Sequence, residues 1–84
     1  MQIKFTEEGK NTLRNIHIGN QKEIKSEIKG LIKNPQFGKK LTGNLIGFYS
    51  LRFKKYRVIY SLQKDLVIIH RVGHRKDVYG EAIS

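Results

Sequence analysis

The sequence predicts an α+β domain in which two short helices pack on one face of an antiparallel sheet. Three observations predict it. Ile24, Ile28, Leu31 and Ile32 recur at helical spacing, the chain from Phe48 onward alternates in steps of two, and the change of period falls in a glycine-rich stretch at 35–47. At 84 residues the chain has room for one apolar core and hence one domain, residues 1–84. Hydrophobic residues make up 38% and a single proline interrupts the pattern, which suits packing rather than disorder. Without cysteine, no disulfide supports the core and the common zinc-finger arrangements are excluded.

The expected order is strand, helix, helix, three strands and a short C-terminal tail or helix. Gln2 to Phe5 alternate polar and apolar, a first strand with Ile3 and Phe5 inward. Thr6 is placed to cap a helix whose first turn carries Glu7 and Glu8 at the positive end of the dipole. That helix is expected to reach Asn15 and to bury Leu13 and Ile16. "IHIGNQ", residues 16–21, holds Gly19 and Asn20 and predicts a turn. The second helix buries Ile24, Ile28, Leu31 and Ile32 and leaves Lys22, Lys25, Lys29 and Lys33 outside, until Asn34 and Pro35 stop it. Residues 35–47 predict a loop carrying Lys39 and Lys40. "FYSLRF", "YRVIYSL" and "LVIIHRVG" then form a meander joined by turns at Lys54-Lys55 and Gln63-Lys64-Asp65.

Strand alternation assigns the faces. Tyr49, Leu51, Phe53, Val58, Tyr60, Leu62, Ile68, His70 and Val72 are expected toward the helices. The other face receives Phe48, Ser50, Arg52, Arg57, Ile59, Ser61, Ile69, Arg71 and, if the last strand continues unbent, Arg75. Sheet packing alone does not call for four arginines on one face. Arginine offers a planar fork matched to phosphate oxygens, so the face is a candidate for binding a nucleic-acid backbone.

Charge supports the same direction. Lys plus Arg number 17 against 7 Asp plus Glu, a formal net charge of +10, which points to a polyanionic or strongly acidic partner. Lys39, Lys40, Lys54 and Lys55 fall in the stretch between Glu27 and Asp65 that lacks acidic residues, and Phe48 and Tyr79 offer rings for stacking on bases. The candidate RNA-binding set is therefore Arg52, Arg71, Lys54, Lys55, Lys39, Lys40 and Phe48. His17 is expected in a turn without a chemical role, and His70 as a packed core residue. Three scattered histidines without paired carboxylates make no metal site, and no glycine-rich phosphate loop or serine elbow is present. No apolar run approaches the roughly 20 residues of a membrane span, and the first residues lack a signal-peptide pattern, so a cytoplasmic protein with no membrane contact is expected.

"GKKLTGNLIGFYSLRFKKYRVIYSL" followed by "VIIHRVGHRKDVY" resembles the RelE/ParE superfamily of bacterial type II toxins. The resemblance spans nearly the whole chain. It rests on Leu41-Thr42-Gly43, Leu51-Arg52, Tyr56-Arg57-Val58-Ile59-Tyr60 and Gly73-His74-Arg75 with Tyr79 following. For the RelE branch it implies a ribosome-dependent mRNA interferase, cutting by attack of the RNA 2′-hydroxyl on the adjacent phosphate without metal or cofactor. Arg57 and Arg75 match the arginines that hold the phosphate, Arg75 also matches a proposed acid, Tyr79 matches a substrate-contacting aromatic residue, and Arg52 a further basic position. Phe48 and Ser50 stand where the best-known members carry lysines, one of them a proposed base. The proton-transfer role then falls to His74, provided that the chain bends at Gly73. The resemblance implies a cognate antitoxin with an acidic wrapping segment, together with ribosome and mRNA, as partners. It leaves two alternatives open: a ParE-like inhibitor of DNA gyrase, and a non-catalytic nucleic-acid-binding relative.

Overall fold

In a computed structural model describing residues 1–80, strand β1 (Gln2–Phe5) leads into helices α1 (Glu7–Arg14) and α2 (Ile18–Gly30). A two-residue strand β2 (Lys39–Lys40), a 3₁₀ turn (Gly43–Leu45) and the meander β3 (Phe48–Phe53), β4 (Tyr56–Gln63) and β5 (Leu66–His74) follow. The sheet order is β1-β5-β4-β3-β2. Its meander is antiparallel as expected, and β1 pairs in parallel with β5, Ile3 opposite Val67 and Phe5 opposite Ile69, which makes the whole sheet mixed. Residues 81–84, the end of the expected tail, lie outside the described residues. No helix among the described residues is long and apolar enough to cross a membrane.

Helix α1 closes the edge that β1 leaves open. The Thr6 amide donates to the Ile69 carbonyl at 3.0 Å, extending the β1–β5 ladder by one step, while the Thr6 hydroxyl accepts from the Gly9 amide at 3.0 Å as the helix cap. One turn on, the Thr12 hydroxyl accepts from the Val72 amide at 3.0 Å. A side chain of α1 thus satisfies a strand donor that no neighbouring strand reaches. This docking requires glycine at position 9, because a Cβ there would overlap the Ile69 carbonyl oxygen.

Helix α2 starts earlier than its sequence signals imply. The turn expected at 16–21 shrinks to the Asn15–His17 junction, and Gly19 and Asn20 lie inside the helix. The cap is the His17 ring, whose Nδ1 accepts from the Gly19 amide at 3.2 Å. Ile24, Ile28 and Leu31 are buried as the spacing predicts, but Ile32 is 44% exposed. The cause is local: the amides of Leu31, Ile32 and Lys33 donate to Ile28, Lys29 and Gly30, three residues back, and this tighter winding turns Ile32 off the apolar stripe.

The expected loop at 35–47 also contains structure. The buried Tyr60 hydroxyl donates to the Pro35 carbonyl at 2.8 Å and accepts from the Gly38 amide at 2.9 Å. Held there, the chain pairs Lys39 with Ser50 and Lys40 with Tyr49 as β2. Burial of its ring raises the Tyr60 pKa above its ordinary value, partly offset by the Gly38 hydrogen bond.

A bulge resets the faces of β5. Ile59 opposes Arg71 and Tyr60 opposes Ile69, so His70 is the extra residue. Ile69 therefore enters the helix-side core with Leu13, Ile24, Ile28, Val58, Tyr60 and Val72, whereas Ile68 and His70 turn to the other face, the reverse of strict alternation. Beyond the bulge the expected parity returns. The second face is itself partly covered, since Ile59 there is fully buried and Val78 of the C-terminal turn is 2% exposed.

Candidate nucleic-acid face

The meander places Arg52 and Arg57 directly opposite each other on the face away from the helices. Arg57 is braced by its own turn: one terminal nitrogen donates to the carbonyls of Tyr56 at 2.8 Å and Lys54 at 3.0 Å. The Arg75 amide donates to the Lys55 carbonyl at 2.8 Å, so Arg75 adjoins the same end of the sheet. Lys54 and Lys55 flank this cluster rather than line it. Their ammonium groups lie 5.3 Å and 5.8 Å from the ring centres of Phe53 and Tyr56, both helix-side residues, and Lys54 pairs with Glu23 of α2 at 3.4 Å. Of the β2 lysines, both exposed, Lys39 shares the open face through its partner Ser50, while Lys40 follows Tyr49 to the other side.

Arg71 keeps the expected face but is not exposed on it. It is buried, and its Nε and a terminal nitrogen donate to one carboxylate oxygen of Glu8 at 2.8 Å and 2.7 Å. Its other terminal nitrogen donates to the Val78 carbonyl at 3.0 Å. Arg71 thus ties α1 to the C-terminal turn, and its charge is met by Glu8 within the protein.

The expected partnership of His74 with Arg57 and Arg75 also does not form. Strand β5 runs through Gly73 to His74, which opposes Tyr56 on the helix side, with ring centres 6.4 Å apart. The His74 Nδ1 accepts from the Lys76 amide at 3.1 Å. Gly73, opposite Arg57, instead lies against Val78, where even an added Cβ would stand at an ordinary contact distance of 3.6 Å from that of Val78. The turn closed by the Asp77 and Val78 amides on the His74 carbonyl carries Tyr79 back across the sheet. There the Tyr79 hydroxyl is 2.7 Å from the Ser50 hydroxyl, with the ring 40% exposed. Ser50, a departure from the lysine pattern, is the seat of Tyr79.

Alternation alone misses a second group on this face. Across the bulge, the His70 Nε2 is 2.7 Å from the Ser61 hydroxyl, and its ring meets that of Phe48 edge-to-face at 5.0 Å. Phe48 opposes Ser61 on β3, so the three residues form one patch. Alternation offers no sign of it, because Ile68 and Val72 already fit one face without an extra residue between them.

The family model of ParE toxins of type II toxin-antitoxin systems matches residues 3–79. The chain belongs to this family. It is a toxin of the RelE/ParE superfamily, and solved structures agree on the fold. It is similar to a chain of the RelBE2 toxin-antitoxin complex from Mycobacterium tuberculosis, at 28% identity and a TM-score of 0.81 over 90% of this chain and 92% of that one. The isolated E. coli RelE toxin superposes at a TM-score of 0.75 and 21% identity, covering 86% and 81% of the two chains. For the RelB-RelE complex from Methanococcus jannaschii the values are 0.73 and 24%, over 93% and 96%. A search of functionally curated proteins returned no match.

Proposed function

We propose that this toxin cuts messenger RNA on the ribosome, as a cytoplasmic, metal-independent mRNA interferase that holds the RNA backbone on its open sheet face. The Arg52–Arg57 pair carries the reading. Two like charges directly opposite each other cost stability, and a phosphate between their guanidinium groups turns that repulsion into a bidentate site. Arg75 adds charge at the same end, and Tyr79 contacts the substrate from its seat on Ser50.

In the reaction the 2′-oxygen bonds to the adjacent phosphorus as its proton leaves. The bond to the 5′-oxygen breaks, and that oxygen takes up a proton, giving a cyclic phosphate and a free 5′-hydroxyl. Arg57, Arg52 and Arg75 hold the group in line and stabilise the charge that develops on it. His74 lies on the helix side and takes no part. A positioned base contributes about 10²–10⁴-fold, so positioning and electrostatics carry a larger share here.

The partner proposed for the resting state is a cognate antitoxin, as the RelBE relatives are found in toxin-antitoxin complexes, and the basic surface here calls for an acidic segment in it. Against a net charge of +10, its association is fast and salt-dependent. The ParE family match favours a second reading, inhibition of DNA gyrase. Expression in bacteria with mapping of RNA 5′ ends separates the two. New ends within translated codons support the interferase, whereas arrested growth with intact messages and broken DNA supports the gyrase reading.

A further inference from the structure

We infer that Phe48 and His70 form a platform for one unstacked nucleobase, which selects the nucleotide lying along the sheet from the held phosphate; the inference rests on the messenger-RNA reading. The bulge at Ile59/Tyr60 puts His70 on the open face. There Ser61 fixes its ring at 2.7 Å, and Phe48 meets it edge-to-face at 5.0 Å. Both rings are half-buried, so each still presents surface to solvent. A fixed ring pair loses little side-chain entropy when a base stacks on it, unlike a mobile surface ring.

The arrangement along the strands supports this placement. Ser61 and Arg57 are four residues apart on β4, about 13 Å at the usual strand rise of ~3.3 Å. Between these ends, on β3, lies Ser50 with Tyr79 above it. Arginines at one end, an exposed tyrosine in the middle and the Phe48–His70 pair at the other follow the pattern by which single strands are bound: cations for the backbone and rings for splayed bases. Phe48, where the better-known relatives carry a lysine, thereby replaces a charge contact with a base contact. The chosen nucleotide is one removed from the scissile phosphate, so the platform acts on affinity and codon preference more than on the chemical step.

The test measures fluorescence anisotropy of the purified chain with a labelled single-stranded RNA hexamer, beside cleavage of ribosome-bound messages. Phe48→Leu keeps an apolar side chain but removes the ring face, and is expected to weaken binding roughly 10- to 100-fold and flatten codon preference. Phe48→Trp is expected to retain both. Replacing one nucleotide of the hexamer by an abasic unit costs the unsubstituted protein a similar factor and costs the Phe48→Leu variant nothing. His70→Leu, checked for native circular dichroism, repeats the loss. Unchanged affinity and codon preference in Phe48→Leu, with messages still cut, overturns the platform and leaves the interferase reading standing. Base-dependent binding with messages left intact overturns the interferase reading and supports the platform. Failure of the unsubstituted chain to bind the hexamer overturns the platform outright.

Discussion

Replacing Gly9 by alanine tests how α1 is docked. In an exposed helix this change is stabilising by about 1 kcal/mol, because alanine is the better helix former. Here the new Cβ overlaps the Ile69 carbonyl oxygen and stands 3.1 Å from the carbonyl carbon. Both obstacles are backbone, so no rotamer relieves them and the helix must withdraw from β5. Withdrawal breaks the Thr12–Val72 hydrogen bond and strains the Thr6 contact with Ile69, two bonds each worth about 1 kcal/mol. It also loosens Leu13 in the core. The net loss is about 2–4 kcal/mol, a large share of the ~5–15 kcal/mol that holds a domain. At about 4–8 °C per kcal/mol for a chain of this size, the melting temperature falls by roughly 8–30 °C. Urea and thermal unfolding followed by circular dichroism measure it. Gly30→Ala is the control: nothing lies within 4 Å of a Cβ there, and stability is expected to rise by about 0.5–1 kcal/mol. Equal or greater stability of Gly9→Ala would refute the docking argument.

Other expected outcomes concern the buried polar groups and the site. Tyr60→Phe removes the partner of the Pro35 carbonyl and of the Gly38 amide, costing about 1–3 kcal/mol in urea unfolding. Because burial raises the Tyr60 pKa, the folded state holds its proton more tightly than the unfolded state does. That stabilisation is complete below about pH 10 and is lost as pH climbs from there through the folded-state value, and the slope is absent in Tyr60→Phe. Glu8→Gln weakens the ion pair that ties α1 to the buried Arg71 and is expected to cost about 1–2 kcal/mol, tempered by the partial exposure of Glu8, as read by the urea midpoint. Arg57→Ala is expected to abolish growth arrest on expression, while His74→Gln leaves it intact; the opposite pattern would return His74 to the site.

Much of the architecture was legible because local signals agreed. Thr6 before Glu7 and Glu8, the Ile24–Ile28–Leu31 stripe and the Lys54-Lys55 turn each pointed to what they form. What was hidden depended on contacts distant in sequence. The two residues of β2 carry no strand pattern and pair only because Tyr60, over twenty residues away, pins Gly38. The parallel pairing of β1 with β5 joins the two ends of the fold. At the site, Arg52 and Arg57 followed from strand parity. A single inserted residue, invisible to alternation, exchanged the roles of Ile69 and His70. Arg71 could not be told from its neighbours by residue type, since only the fold brings Glu8 beside it.

If the open face holds an RNA phosphate for attack by the neighbouring 2′-hydroxyl, the new ends of the cut RNA carry its chemistry. End-group analysis of fragments from ribosome-bound message treated with the purified toxin tests it most directly. The expected ends are 2′,3′-cyclic phosphate and 5′-hydroxyl, and both disappear in Arg57→Ala. Intact message, 5′-phosphate ends, or undiminished cutting by Arg57→Ala would contradict it.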